Sequence, residues 1–430
     1  MEKRICLMND SFPPAIDGVA NAVVNYASEL RKLGQEPAVV TPFYPDADDS
    51  CFDFPVLRYP SLDLTRQVGY RAGLPFSAQL LQRLEGQQFD LIHTHCPVSS
   101  AVLARLLRSR THAPVILTYH TKFDIDIANA IRMKLVQEEA CRLLAENIAA
   151  CDEVWTVSRG AGENLRKLGY QGDYLVMPNG VDFPAGRVPE QTVREVTEEA
   201  CLPDGVPVYL FVGRLMWYKG IRIILDALCR LRSRGRDFRM VFIGAGGDEK
   251  EILAKTLELG LSDRTVFLGA IHDREQIRAW YCRAELFLFP STFDTNGLVV
   301  REAAACALPS VLVAGSCAAE DITDGRNGFL IEENAASMAA LLENLQKTPQ
   351  RVREVGERAQ KEIYLSWEQA VERADARYDA VLERFRAGQL PPHEELSDEL
   401  LSAMAQLLEH HAHRRARQAA LRQNLRDRFL

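Results

Sequence analysis

The chain has 430 residues, 47% of them hydrophobic and 26% charged, and a formal net charge of -8. That length is long for one domain and comfortable for two, the composition is that of a globular protein, and the acidic balance argues against a general nucleic-acid binder. No apolar run approaches the roughly 20 residues that cross a bilayer, and Met1-Glu-Lys-Arg leads straight into a short strand without a signal-peptide core, so a cytoplasmic protein is expected.

In chain order, Arg4-Ile-Cys-Leu-Met8 reads as a first strand, followed by a loop containing Gly18 and a helix that runs to Leu30. Gly18 would let backbone approach a ligand where any Cβ would intrude. Phe89-Asp-Leu-Ile-His-Thr-His95 and Val115-Ile-Leu-Thr-Tyr-His120 read as further strands, each ending in a histidine. His93 and His95 are expected to face opposite sides of their strand and to share no metal. Asp124-Ile-Asp126 has the form of a metal-binding pair, but it opens a predicted helix and two carboxylates alone are a weak ligand set, so no metal is expected. Val154 to Ser158 and Val176 to Asp182 close a first domain of residues 1–182, and the Pro-, Gly- and charge-rich stretch 183–207 reads as a linker. Within this half Arg58, Tyr59, Arg66, Tyr70, Arg71, Phe76, Arg105, Arg108, Arg110 and Lys122 form a basic and aromatic excess hidden by the acidic total. Such a patch suits an anionic membrane surface, or alternatively a solvated or phosphate-recognition surface.

The second domain, 208–364, opens on the apolar run Val208-Tyr-Leu-Phe-Val212, a buried parallel strand by its composition. Arg214 and Lys219 follow just past its carboxyl end, where open parallel sheets bind ligands and where an Arg fork and a Lys point charge can neutralise a diphosphate. Gly244-Ala-Gly-Gly247 follows the strand Phe238 to Ile243 and would bring backbone near a nucleotide, although Glu249 occupies the third glycine position of a dinucleotide fingerprint. Leu286 to Phe289 reads as a strand ended by Pro290 and Ser291, and Gly297 opens a helix. Asp294 therefore sits in a loop and Glu302 inside the helix, about 7 to 8 Å along it from Gly297. Between them lies a helix N-terminus, suited to phosphate oxygens. The alternative is a solvated Asp cap and an exposed Glu.

A helix spans Trp367 to Phe385 within residues 365–390. The remaining 391–430 form an amphipathic tail with Leu396, Leu400, Met404, Leu407 and Leu408 on one stripe, then Arg414, Arg415, Arg417, Arg422, Arg426 and Arg428 against one acid, Asp427. The stripe is expected to pack on its own chain or pair with a second copy as a homo-oligomer, the alternative being an anionic membrane. Ten cysteines are scattered singly without a Cys-x-x-Cys pair, and those in apolar elements (Cys6, Cys141, Cys306) read as reduced, buried thiols.

Taken together, Asn9 to Leu30, Val176-Met-Pro-Asn-Gly-Val-Asp182, Gly213 to Gly220, Phe293 to Ser310 and Asp321 to Leu330 resemble glycosyltransferase family 4 over nearly the whole chain. Phe293 to Ser310 is similar to its Glu-x7-Glu signature with Asp294 in the first place. Other departures are Ala307 where Gly is usual and Gln35-Glu36-Pro37 after Gly34, both read as structural. The segments Ser61 to Phe76 and Tyr119 to Asp124 look closest to the bacterial branch that glucosylates diacylglycerol.

The resemblance implies a GT-B fold, two Rossmann-like α/β domains facing a cleft, with the 365–390 helix crossing back to the first domain and a C-terminal helical extension. It implies a metal-independent, retaining hexosyltransferase with no cofactor beyond its nucleotide-sugar substrate, UDP-glucose being the expected donor and a membrane lipid the expected acceptor. It would be cytoplasmic and peripheral on the inner face of the membrane. The alternatives are transfer to a soluble acceptor and an NDP-sugar epimerase on the same fold. Catalytic roles fall on His120, Asp294, Arg214 and Lys219, and donor contacts on Gly18, Gly246, Ile271, Asn296, Gly297, Leu298, Val299 and Glu302 as well. His120 would lie against the transferred sugar without acting as general base, because the leaving phosphate takes the acceptor proton in retaining members of this fold. Asp294, one methylene shorter than Glu, bears on sugar choice.

Overall fold

The structure, a computed structural model of the full chain, describes all residues except 1, 16, 64, 66–70, 124–126, 128–132, 391–397, 400, 402 and 404–430. The continuous apolar runs form parallel strands covered on both faces, the environment that such runs require. In the first sheet these are β1 (Arg4–Met8), β2 (Glu36–Pro42) and β3 (Val56–Tyr59), with β4 (Ser61–Asp63) and β5 (Arg71–Gly73) forming a separate antiparallel pair. β6 (Leu91–Thr94), β7 (Val115–Tyr119), β8 (Glu153–Thr156) and β9 (Leu175–Val176) complete it. Among the described residues the order is β3-β2-β1-β6-β7-β8-β9, all parallel. Leu7 pairs with Val39 on one side and His93 on the other, and Ile5 to Met8 are fully buried.

The second sheet contains β10 (Val208–Val212), β11 (Arg239–Ile243), β12 (Thr265–Phe267), β13 (Leu286–Leu288), β14 (Ser310–Val313) and β15 (Phe329–Ile331). Its order, β12-β11-β10-β13-β14-β15, is likewise parallel throughout. In each sheet the order reverses beside the first strand, between β1 and β6 and between β10 and β13. At such a switch point the loops leaving the two strands diverge and open a crevice at their carboxyl ends. Each half is a Rossmann-like unit with its own hydrophobic core.

The units comprise Met1–Val157, Ala161–Met177 and Val371–Leu430, and Ser158–Gly160 with Pro178–Ala370. Residues 178–182, assigned to the first domain on sequence, thus group with the second. The linker expectation for 183–207 also needs correction. This stretch contains the helix Glu190–Glu199 and buries Phe183, Val188, Val196 and Leu202 in the second core. Its prolines and charges masked four apolar anchors too widely spaced to show a period. The helix Trp367–Arg386 sends Tyr378 into the first unit, stacked on Trp155 with centroids 5.5 Å apart, while Arg377 meets Glu153.

The two departures read as structural have local explanations. Ala307 closes the helix Leu298–Ala305 with φ +56°, a left-handed backbone that glycine adopts without strain. Gln35 is buried, accepts the Lys3 N–H at 2.8 Å and donates to Asp375. No cysteine forms a disulfide among the described residues, but Cys141 is only half-buried and Cys51 and Cys201 are exposed. The tail stripe and its arginines lie outside the described residues. Of its first turns, Asp398 pairs with Arg105 and Arg108, and Leu401 packs on the first core.

Candidate active site

Two loops at the second switch point bring the central residues together. The chain leaves β10 through Gly213 and Arg214 into the 3-10 turn Trp217–Lys219, and leaves β13 through Pro290 to the helix at Leu298. Gly220 joins them, since a Cβ there would lie 2.3 Å from the Pro290 carbonyl oxygen and its φ is +77°. The closeness of the loops sets Lys219, which is buried, with Nζ 2.5 Å from Asp294 Oδ1 and within 6 Å of the Tyr218 and Phe289 rings. Arg214 is exposed, its guanidinium 5.9 Å from the Tyr218 ring centroid. The two residues expected to serve sugar and diphosphate separately are therefore an ion pair.

Asp294 Oδ2 and Asn296 Nδ2 are both buried without a hydrogen-bond partner among the described residues. An unmet acceptor and an unmet donor in one loop are costly, and each cries out for a partner of the opposite kind. Hydroxyl groups, which donate and accept, match both. Gly297 takes the left-handed N-cap position, and Leu298 and Val299 occupy the first turn, where helical amides have no carbonyl of their own to meet.

Glu302, on the next turn, is held from two sides. Its Oε1 accepts from Arg274 Nη2 at 2.8 Å and its Oε2 from the Tyr281 hydroxyl at 3.0 Å. Arg274 also reaches Asp182 and lies over the Phe183 ring at 4.2 Å. Sequence reading missed Arg274, Tyr281 and Asp182 as site members, because partners 21, 28 and 92 residues apart leave no spacing signal. Burial pushes the Glu302 carboxyl above its ordinary value of 4.5, with Arg274 opposing the shift. Raised means that Glu302 takes up its proton at a higher pH than a free glutamate does. A protonated Glu302 accepts fewer hydrogen bonds, so donor KM should rise on acidification before pH 4.5 is reached, and a Glu302→Gln variant should lose that rise. A flat KM profile in the parent protein would exclude the effect.

Gly246 has a packing reason of its own beside the expected ligand one. A Cβ there would meet the Leu215 carbonyl oxygen at 2.3 Å, so the glycine keeps the loops after β10 and β11 in register. Ile271 is half-buried against the second core. Gly18 begins the helix Gly18–Lys32, capped by Asp17, and a Cβ on it would meet nothing within 4 Å among the described residues. Asp124 and Asp126 lie outside the described residues.

In the first unit, His120 follows β7 at the carboxyl edge of the sheet. Its Nε2 lies 2.9 Å from His95 Nδ1, and burial holds it down at about 3, so the ring is neutral. The expectation that His93 and His95 face opposite sides is wrong. Residues two apart on a strand share a face, and the two rings have centroids 4.1 Å apart. His93 bonds the Tyr378 hydroxyl at 2.6 Å and Thr118 Oγ1 at 2.7 Å.

The basic patch is corrected as well. Arg58 binds Asp49 through two 2.8 Å contacts, Arg71 meets Asp63 and Ser61, Arg105 meets Asp398 and Asn147, and Arg108 meets Asp152, Asp398 and the Ala150 carbonyl. Tyr59 is buried, and Phe76 packs on the first core. Arg66 and Tyr70 lie outside the described residues. Guanidinium groups satisfied by internal carboxylates have little charge left for a surface.

Residues 16–183 match the family model described as Glycosyltransferase Family 4, and residues 194–362 the model described as Glycosyl transferases group 1. The chain is 25% identical over 344 residues to an alpha-monoglucosyldiacylglycerol synthase of Acholeplasma laidlawii, covering 77% of this chain and 85% of that one. It is 29% identical over 285 residues to a D-inositol 3-phosphate glycosyltransferase 2 of Catenulispora acidiphila, covering 63% and 66%. Anabaena Alr3699/HepE, solved in complex with UDP-glucose, matches with a TM-score of 0.69 at 18% identity over 88% of this chain and all of that one, a likeness of fold. With one match over each Rossmann-like unit and charged loops at the switch point of the second, the chain belongs to glycosyltransferase family 4, whose GT-B enzymes use nucleotide-sugar donors.

Proposed function

We propose that this enzyme moves glucose from UDP-glucose to a hydroxyl of a diacylglycerol-type lipid, with retention at the anomeric carbon and without a metal ion. The observation that carries the donor half is the part-buried Lys219–Asp294 pair beside Arg214 and the Leu298 helix N-terminus. In this reading the bond from the anomeric carbon to the diphosphate oxygen breaks, and the acceptor oxygen bonds the same face of that carbon. The acceptor proton passes to the departing phosphate oxygen. Lys219, Arg214 and the Leu298 and Val299 amides stabilise the charge that develops there. Asp294 and Asn296 hold sugar hydroxyls, and Glu302 accepts the ribose hydroxyls.

The lipid half is supported by the Acholeplasma relative, a synthase of glucosyldiacylglycerol by name. No helix among the described residues is long and apolar enough to cross a membrane, so contact with lipid would be peripheral. With Arg58, Arg105 and Arg108 paired internally, the surface best suited to it is the helix Lys134–Ala149 and the residue before it, where Met133, Leu135, Val136 and Leu143 are exposed. A soluble phosphorylated polyol is the second reading, favoured by the name of the Catenulispora relative. Incubation with labelled UDP-glucose followed by separate lipid and aqueous extraction decides between them. Label confined to a water-soluble product, with no protein on lipid vesicles, would end the lipid reading.

Because the charge on the diphosphate is met by side chains, a chelator should leave turnover largely intact. Complete loss with EDTA, restored by Mn2+, would instead give Asp124 and Asp126 a metal-binding role. The anomeric configuration of the product, read by NMR coupling, tests retention.

A further inference from the structure

His95 and His120 meet through one nitrogen each, and both side chains are buried, at 1% and 5% exposure. Burial holds both rings neutral. A neutral pair puts a single proton into the 2.9 Å contact, which leaves two forms. In one, His95 donates from Nδ1 and keeps a bare lone pair on Nε2, while His120 accepts on Nε2 and carries its own proton on Nδ1. In the other, His120 donates from Nε2 and His95 carries its proton on Nε2.

The surroundings of His95 Nε2 decide between them. That atom is buried and has no hydrogen-bond partner among the described residues. Its ring is flanked by the Tyr26 ring at 5.1 Å and the His93 ring at 4.1 Å. His93 offers it no acceptor, since its two nitrogens are engaged by Tyr378 and Thr118. An unmet buried N–H is a rarer and costlier defect than an unused lone pair.

We propose that His95 is a positioning residue that donates from Nδ1 to His120 Nε2 and so fixes His120 as its Nδ1–H tautomer. His120 then has no basic nitrogen to offer, because its one lone pair is taken by His95. Through Nδ1 it can act only as a hydrogen-bond donor, toward an oxygen acceptor. The identity of that acceptor rests on the donor reading above; the tautomer does not.

The test is a long-range 1H–15N correlation spectrum of the full chain, selectively labelled at its nine histidines, at neutral pH. His120 should show a pyrrole-like Nδ1 and a pyridine-like Nε2, and His95 a pyrrole-like Nδ1, with signals assigned by single substitution. A protonated Nε2 on His120 overturns the proposal, and the tautomer itself is read on the parent protein. His95→Asn, which can still donate, should keep the His120 pattern and near-parental kcat. His95→Leu should alter that pattern and lower kcat about tenfold, the scale of one lost hydrogen bond, with donor KM little changed. An unaltered His120 pattern in His95→Leu also overturns it. If the tautomer is as stated and no sugar leaves any nucleotide donor, the donor reading fails and the assignment of the pair stands.

Discussion

Lys219→Ala is expected to lower kcat/KM by about 2 to 4 kcal/mol of transition-state stabilisation, roughly 30- to 1,000-fold, while the protein remains folded. The loss has two sources. Lys219 is a cation set at the switch-point crevice, where the leaving diphosphate gains charge, and its removal also takes the partner from Asp294 Oδ1 beside an Oδ2 that already has none. Arg214→Ala should fall in the same range but act on charge alone, since Arg214 makes no ion pair among the described residues. A cycle of Lys219→Ala, Asp294→Asn and the double variant separates the two sources, because residues that act through one contact are strongly non-additive. Near-parental turnover in a folded Lys219→Ala protein would refute its place in the site.

The largest stability effect should come from Arg108→Ala, which removes the donor shared by Asp152, Asp398 and the Ala150 carbonyl. The side chains of Arg108, Asp152 and Asp398 are 11%, 5% and 14% exposed, so two largely desolvated carboxylates would lose a cation, Asp398 keeping Arg105. Breaking such a pair from one side costs about 3 to 5 kcal/mol. Denaturant unfolding, followed for the transition of the first unit, should show the loss, and vesicle co-sedimentation of the folded protein should not change. The reverse result, weakened binding to anionic vesicles at unchanged stability, would mean that Arg108 faces outward and that the internal pairing is wrong.

Much of the second unit could be read from the chain. Val208 to Val212, Phe238 to Ile243 and Leu286 to Phe289 announce buried parallel strands through unbroken apolar runs, and Gly220 and Gly297 mark sharp turns after two of them. These are local signals, written in consecutive residues, and they were enough to place Arg214, Lys219, Asp294 and Glu302 near a sheet edge. What consecutive residues cannot encode is which distant side chain completes a pair. That Lys219 meets Asp294 follows from β10 and β13 being neighbours, a consequence of strand order across 75 positions. Arg274 and Tyr281 reach Glu302 for the same reason, from a helix whose own pattern reports only its buried face. The arginines of the first unit show the converse. Their sequence gave a charge count, but only the fold supplied Asp49, Asp152 and Asp398 as partners, turning an apparent surface patch into internal bonds. The sequence by itself determined the fold class and the chemistry of the loops, because both rest on local composition. Tertiary structure alone decided which charges face one another, because a Coulomb partner is chosen by distance in space and not along the chain.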